Sequence, residues 1–132
     1  MTYTIDISFN QHFIHAIVKG TNTAKNLQQY FSDIQRAVEF HHCKRVLIEE
    51  SLVGRGLDIF DVFEIIREQA RYARDHQLNI AYIDLNRDHH SNTVAFGENL
   101  ANILGVNVKV FSAIEQAKAW LMRNESVNNI TE

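Results

Sequence analysis

The sequence predicts an α/β domain built on a mostly parallel five-stranded sheet that opens with an antiparallel hairpin and carries four helices. Three observations carry this. Tyr3, Ile5, Ile7 and Phe9 alternate with polar residues, and a second apolar run, Phe13 to Val18, follows after only the short polar break at Asn10-Gln11. That spacing suits a hairpin and leaves no room for a crossover. Every later apolar run is separated from the next by a segment with apolar residues at three- and four-residue steps, the period of a helix packed on a sheet. Finally, Val46-Leu47-Ile48 does not alternate at all, as expected of a central strand covered on both faces.

In order, Tyr3–Phe9 is the first strand and Phe13–Val18 the second. Gly20-Thr21-Asn22-Thr23 then offers side-chain oxygens that can cap a helix. Leu27, Tyr30, Phe31, Ile34, Ala37, Val38 and His41 share one face of that helix, which ends near His42. The third strand is expected at Arg45–Ile48, followed by a polar break from Glu49 to Gly56 and a second helix from Leu57 with Ile59, Val62, Phe63, Ile66, Ala70 and Ala73 inward. Asp58, Asp61 and Glu64 fall early in it and Arg71 and Arg74 late, the order the helix dipole favours. Leu78–Leu85 reads as the fourth strand and 86–92 as a polar loop. A third helix carries Phe96, Leu100, Ile103 and Leu104 up to Gly105, and a fifth strand, Val106–Phe111, leads to a last helix burying Ile114, Ala117, Trp120 and Leu121. The element order is β-β-α-β-α-β-α-β-α, with right-handed crossovers.

Composition narrows the function classes. At 132 residues, with 45% apolar and 22% charged residues, the chain suits one domain with a real core; folding at this size buries about 70% of the unfolded surface. No apolar run approaches the roughly 20 residues that span a bilayer, and the acidic opening does not resemble a secretion signal, so the expectation is a cytoplasmic protein without a transmembrane segment. The single Cys43 agrees with a reducing compartment. A net charge of -3 gives no overall field to attract nucleic acid, so no nucleic-acid partner is expected.

The candidate site is the break after the third strand, because ligands and partners dock where strand carboxyl ends meet helix amino ends. Gly54-Arg55-Gly56 can offer backbone N–H groups and a guanidinium to an anion, or simply a turn with positive φ. A phosphate loop needs Lys and Ser or Thr after its second glycine, where Leu57 and Asp58 stand instead. Glu49 and Glu50 beside Asp58 and Asp61 raise the idea of paired carboxylates, but adjacent strand residues face opposite sides, and capping accounts for the aspartates. No nucleophile, base and orienting group can be placed together, so no catalytic residue is assigned. Neither His41-His42-Cys43 nor Asp88-His89-His90 has the separated spacing of zinc motifs, so no metal or cofactor is expected. Tyr82, Phe96 and Trp120 read as core aromatics, with a pocket lined by Phe96, Phe60 and Phe63 as the apolar-ligand alternative.

The element order, with Val46 to Glu50 feeding a turn and helix, resembles the fold of anti-sigma factor antagonist (STAS) domains and SpoIIAA-like proteins. Asn99-Leu100-Ala101-Asn102-Ile103-Leu104-Gly105-Val106-Asn107-Val108-Lys109-Val110-Phe111, followed by Glu115-Gln116-Ala117-Lys118-Ala119-Trp120-Leu121, looks like the closing strand and helix of SpoIIAA-like bacterial proteins. The resemblance implies a single SpoIIAA-like domain over residues 1–124; the segment after it, 125–132, belongs to a stretch rich in Asn, Ser and Glu and is expected to be a flexible carboxyl-terminal tail. It implies a regulatory module that binds a protein partner through the turns after strands three and four. Glu50, Ser51, Gly54, Arg55, Gly56 and Asp58 stand on the first turn and Asn86, His89 and His90 on the second. STAS domains of the sigma-regulating kind are switched at a serine opening the helix after the third strand, whereas Gly56-Leu57-Asp58-Ile59-Phe60 has no serine or threonine. A carrier or sensor of a small apolar, lipid-like or anionic ligand is the alternative, by likeness to the CRAL-TRIO type. A homodimer through the hairpin edge at Tyr3–Phe9 is the open oligomeric option.

Overall fold

The computed structural model describes residues 3–54, 58–85 and 91–131, with 91–93 and 124–131 described by backbone alone. The elements are β1 (Tyr3–Phe9), β2 (Ile14–Thr21), α1 (Ala24–His41), β3 (Arg45–Val53), α2 (Ile59–Asp75), β4 (Asn79–Asp84), α3 (Ser91–Ile103), β5 (Asn107–Phe111) and α4 (Ile114–Thr131). Their order is the expected one. The sheet runs β1-β2-β3-β4-β5, with β1 antiparallel to β2 and the other pairs parallel.

The hairpin turns on Asn10, whose Oδ1 accepts from the backbone N–H groups of His12 (3.0 Å) and Phe13 (2.9 Å) while Gln11 takes φ 76°. An Asn side chain standing in for backbone in this way is the local chemistry of a tight turn. Thr23 caps α1 by accepting from the Asn26 N–H at 3.1 Å, and α1 ends where His42 takes a left-handed conformation.

Because consecutive parallel strands lie side by side, their three connecting helices all fall on one face of the sheet. There Ile14, Ala16, Val18, Val46, Ile48 and Leu52 of the sheet pack against Tyr30, Ile34, Ile65, Ala70, Ala73 and Ala101 of α1, α2 and α3. After β5 the chain crosses over, and α4 covers the other face with Ala117 and Leu121 against Leu47, Ala81 and Ile83. Val46, Leu47 and Ile48 are buried towards both layers, which is why their run shows no alternation.

Most boundaries fall within two residues of the expectation, but two strands run on well past their expected ends. The second strand continues beyond Val18 to Thr21, because Lys19, Gly20 and Thr21 find partners on both sides, in β1 or β3. The third continues beyond Ile48 to Val53, through the Glu-Glu-Ser stretch expected to be a turn. Glu50, Ser51, Leu52 and Val53 pair with Val18, Lys19, Gly20 and Thr21, and the acidic side chains are satisfied far along the sequence. Glu49 meets His15 on the α4 face, while Glu50 meets Tyr30 and Tyr82 on the other. The two carboxylates do face opposite sides.

Candidate functional site

Between the sheet and α1, α2 and α3 lies a cavity of about 170 Å³. An engineered cavity of about 150 Å³ lined by aliphatic and aromatic side chains holds benzene, so this volume suits a ligand of about one ring. Its floor is Val46, Ile48, Ile80, Val108 and Val110; α2 contributes Val62, Ile66, Ala70 and Ala73, and α3 contributes Val94, Gly97 and Ala101. The space arises from small residues on the inner faces of the two helices, and α3 approaches so closely at Gly97 that an added Cβ would stand 3.3 Å from Val62 Cγ1.

Glu50 gives the chamber its polar end. Only 1% of it is exposed, and both carboxylate oxygens accept from phenols: the Tyr30 hydroxyl donates to Oε2, and the Tyr82 hydroxyl donates to Oε1 at 2.6 Å. Bonds of this kind, to an ionised acceptor, are stronger than neutral ones. Burial pushes both phenols well above the ordinary tyrosine value; the charge of Glu50 and its hydrogen bonds add to the effect, as does the charge of Asp84. Both phenols therefore remain donors at physiological pH.

The remaining polar side chains of the wall are engaged at its rim. Gln35 donates to Gln69 at 2.7 Å across the α1–α2 seam, and Tyr72 donates to Glu39 at 3.0 Å. Burial and the Glu39 bond raise the Tyr72 phenol to about 12. Glu98 Oε2 accepts from the Val110 N–H at 2.8 Å, satisfying a donor on edge strand β5.

The residues expected on the first turn are dispersed. Glu50 lies beneath the helices, half-buried Ser51 sits within β3 opposite Lys19, and Gly54 ends the strand at φ +104°. Asp58 is exposed and caps α2 in a reciprocal box: its Oδ1 accepts from the Asp61 N–H at 2.9 Å, and Asp61 returns a carboxylate oxygen to the Asp58 N–H at 3.2 Å. Arg55, Gly56, Asn86, His89 and His90 lie outside the described residues.

Phe60 and Phe63 do not line the chamber. They turn outward with 79% and 39% of their surfaces exposed, next to exposed Ile59, so the aromatic pocket expected with Phe96 is replaced by one built on tyrosines. His41 stacks on Phe9 at 4.3 Å, and the Cys43 thiol donates to the His12 carbonyl. Among the described residues, no group of three His, Cys, Asp or Glu side chains converges as a metal site would require.

The layered topology has a solved counterpart. An uncharacterized protein of the DUF3478 family from Shewanella loihica, described as having a SpoIIAA-like fold, superposes with a TM-score of 0.53 at 18% identity, over 90% of this chain and 93% of that one. The fold is SpoIIAA-like. No protein-family model matches the chain, and neither does any curated protein.

On this SpoIIAA-like frame the helix after β3 opens with Asp58 as its cap, and Ser51 is held inside the sheet rather than at the helix start. Among the described residues no helix is long and apolar enough to cross a membrane.

Sequence reasoning passed over Tyr30 as one more helix-face aromatic, and Asn22 as a simple cap. The backbone N–H of Asn22 donates to Val53 O at 2.8 Å and its Nδ2 donates to Gly54 O at 3.1 Å, fastening the end of β3 to the start of α1. The available signal was Tyr30 on the inner face of α1, which needs a buried acceptor for its hydroxyl.

Proposed function

We propose that this domain is a non-catalytic, STAS-like binding module that carries or senses a small, mainly apolar ligand in the chamber between the sheet and α1, α2 and α3. The observation that carries the reading is a cavity of about 170 Å³ with apolar walls, ending on a buried carboxylate held by two tyrosines. Apolar pockets with a few convergent polar groups are the usual form of small-molecule sites. The phenols engage both oxygens of Glu50, an arrangement suited to receiving a polar group rather than to proton transfer. Methyl NMR with toluene as probe tests the reading. Saturable shifts at Val62, Ile66 and Val108 are expected; unshifted methyls up to the solubility limit of toluene would sink it.

A protein partner docking at the amino end of α2 is the second reading. It is favoured by exposed Ile59, Phe60 and Phe63 in the first turns of α2, since clustered exposed apolar side chains mark interaction surfaces. The turns carrying Arg55 and Gly56, and Asn86, His89 and His90, belong to this reading as flanking contacts. Phe60→Ser with Phe63→Ser removes a co-purifying partner if it is right; retention of that partner by the folded double variant counts against it.

A further inference from the structure

We propose that β1 pairs antiparallel with β1 of a second copy of this chain, about a twofold axis at Ile7, so that two sheets join edge to edge. The Asn10 N–H donates to the Phe13 carbonyl at 3.4 Å, which turns the backbone of Asn10 towards β2. Backbone direction alternates along an antiparallel strand, and the unbroken register from Tyr3 to Phe9 carries that alternation through β1. Thr4, Asp6 and Ser8 therefore bond to β2, while Ile5, Ile7 and Phe9 turn their N–H and C=O groups to the open side. Among the described residues no strand lies beyond β1, and nothing bonds to those groups. The opposite edge is treated differently: on β5 the Val110 N–H is taken by Glu98 at 2.8 Å, and Lys109 sets a charge on the strand. Covered donors and edge lysines block strand pairing. β1 has no proline, lysine or bulge, so its edge stays a template for another strand.

The strand's own sequence and its surroundings name the occupant. Phe9 ends β1 exposed, stacked on His41 at 4.3 Å, and His41 meets the ring of Phe40 edge-on at 4.9 Å. Phe40 is 79% exposed, so an open aromatic cluster adjoins the open edge, and such patches mark interfaces. A twofold axis at Ile7 sets Phe9 opposite Ile5 of the second copy, a favourable aromatic–aliphatic pair, and Ile7 opposite its own equivalent. These facing pairs exchange both backbone hydrogen bonds, which satisfies the open groups of Ile5, Ile7 and Phe9 with a strand of the same sequence. On the other face of the strand, Asp6 stands opposite Ser8 of the second copy. An axis at Asp6 would overlap the whole strand but set two carboxylates directly opposite each other, which is destabilising. The axis at Ile7 avoids that clash and covers Phe9.

Sedimentation equilibrium of the full chain at neutral pH, up to about 100 μM, should show a monomer–dimer equilibrium. Ile7→Pro removes an outward N–H and leaves the bonds to β2 in place, so it should weaken the dimer about tenfold or more. Hydrogen exchange read amide by amide locates the interface. Ile5, Ile7 and Phe9 should gain protection as concentration rises, while Thr4, Asp6 and Ser8 are protected throughout. A monomer at every concentration overturns the proposal and leaves the edge to an extended segment of another protein. A dimer whose Ile5, Ile7 and Phe9 amides exchange at a rate independent of concentration overturns it too, because its interface lies elsewhere.

Asp6→Cys and Ser8→Cys test the register at two exposed positions, with the native Cys43 buried. Facing residues of a non-hydrogen-bonded pair have Cα atoms about 4.5 Å apart, within disulfide reach. An equimolar mixture of the two variants should therefore form linked dimers faster than either variant alone. Asp6→Cys linking to itself as fast as the mixture overturns the axis at Ile7. The exchange and cross-linking readouts keep the proposal falsifiable should Ile7→Pro fail to fold.

Discussion

Removing the hydroxyl of Tyr30 tests whether Glu50 is held as the structure describes. A hydrogen bond to a charged group contributes about 1.5–3 kcal/mol, and the upper end applies where the abandoned acceptor cannot reach water. Tyr30 is fully buried, whereas Tyr82 is only partly so, and solvent reaching the exposed part of Tyr82 can replace its hydroxyl. Tyr30→Phe should therefore cost about 3 kcal/mol and Tyr82→Phe about 1.5. For 132 residues the unfolding entropy is about 0.28 kcal/mol per K, so the melting temperature should fall by about 11 °C and 5 °C respectively. Urea denaturation should show both losses as changes of midpoint at constant slope. Tyr82→Phe made in a Glu50→Gln background should cost less than about 1 kcal/mol, since the charge-assisted part of the bond is then absent. A Tyr30→Phe cost below about 0.5 kcal/mol, or one no larger than that of Tyr82→Phe, would refute the clamp.

Ala101→Leu adds three carbons to the chamber wall, each worth about 0.8 kcal/mol when buried, against about 1–3 kcal/mol of packing strain. A gain of about 1 kcal/mol with loss of toluene binding is expected in thermal melts and methyl NMR, and a clear destabilisation would show that the space cannot take a side chain. Asp58→Ala removes half of the capping box on α2 and should cost about 1 kcal/mol, with hydrogen exchange accelerated in the first turn of α2 only; unchanged stability would contradict the box. Alkaline unfolding follows from the tyrosines. Tyr3, raised to about 12 by burial and its bond to Asp33, and Tyr72, also about 12, keep their protons in the folded state after the unfolded chain has lost them near 10. Stability from these groups is thus complete below about pH 10 and lost between about 10 and 12. A phenolate absorbance titration giving all four tyrosines ordinary values would overturn this.

The architecture was legible because its signals are local. The alternation at Tyr3–Phe9, the uninterrupted Val46-Leu47-Ile48 and the helical spacing between strands depend only on near neighbours, and the sheet order and layers follow from them. The continuation of β3 was not legible, because Glu49-Glu50-Ser51 reads as a turn to any argument confined to its surroundings. What makes it strand is distant: Tyr30 lies 20 residues before Glu50, Tyr82 lies 32 after it, and His15 lies 34 before Glu49. A charge inside a sheet becomes tolerable only through partners that folding delivers.

Glu50 was selected from the sequence as a turn residue facing a partner; the structure keeps it as a candidate for a different physical reason. Its role depends on a void, and no side chain announces a void. This one exists because α2 and α3 present Ala70, Ala73, Gly97 and Ala101 towards a floor of valines and isoleucines while tyrosines stand at the polar end. Small residues on two facing helices usually signal close packing. Here the close approach occurs at Gly97 against Val62, and the remaining small residues leave space that larger ones would have filled. A core of this size would gain stability by filling it, so open volume beside a deliberately satisfied carboxylate is the feature that the fold alone does not require.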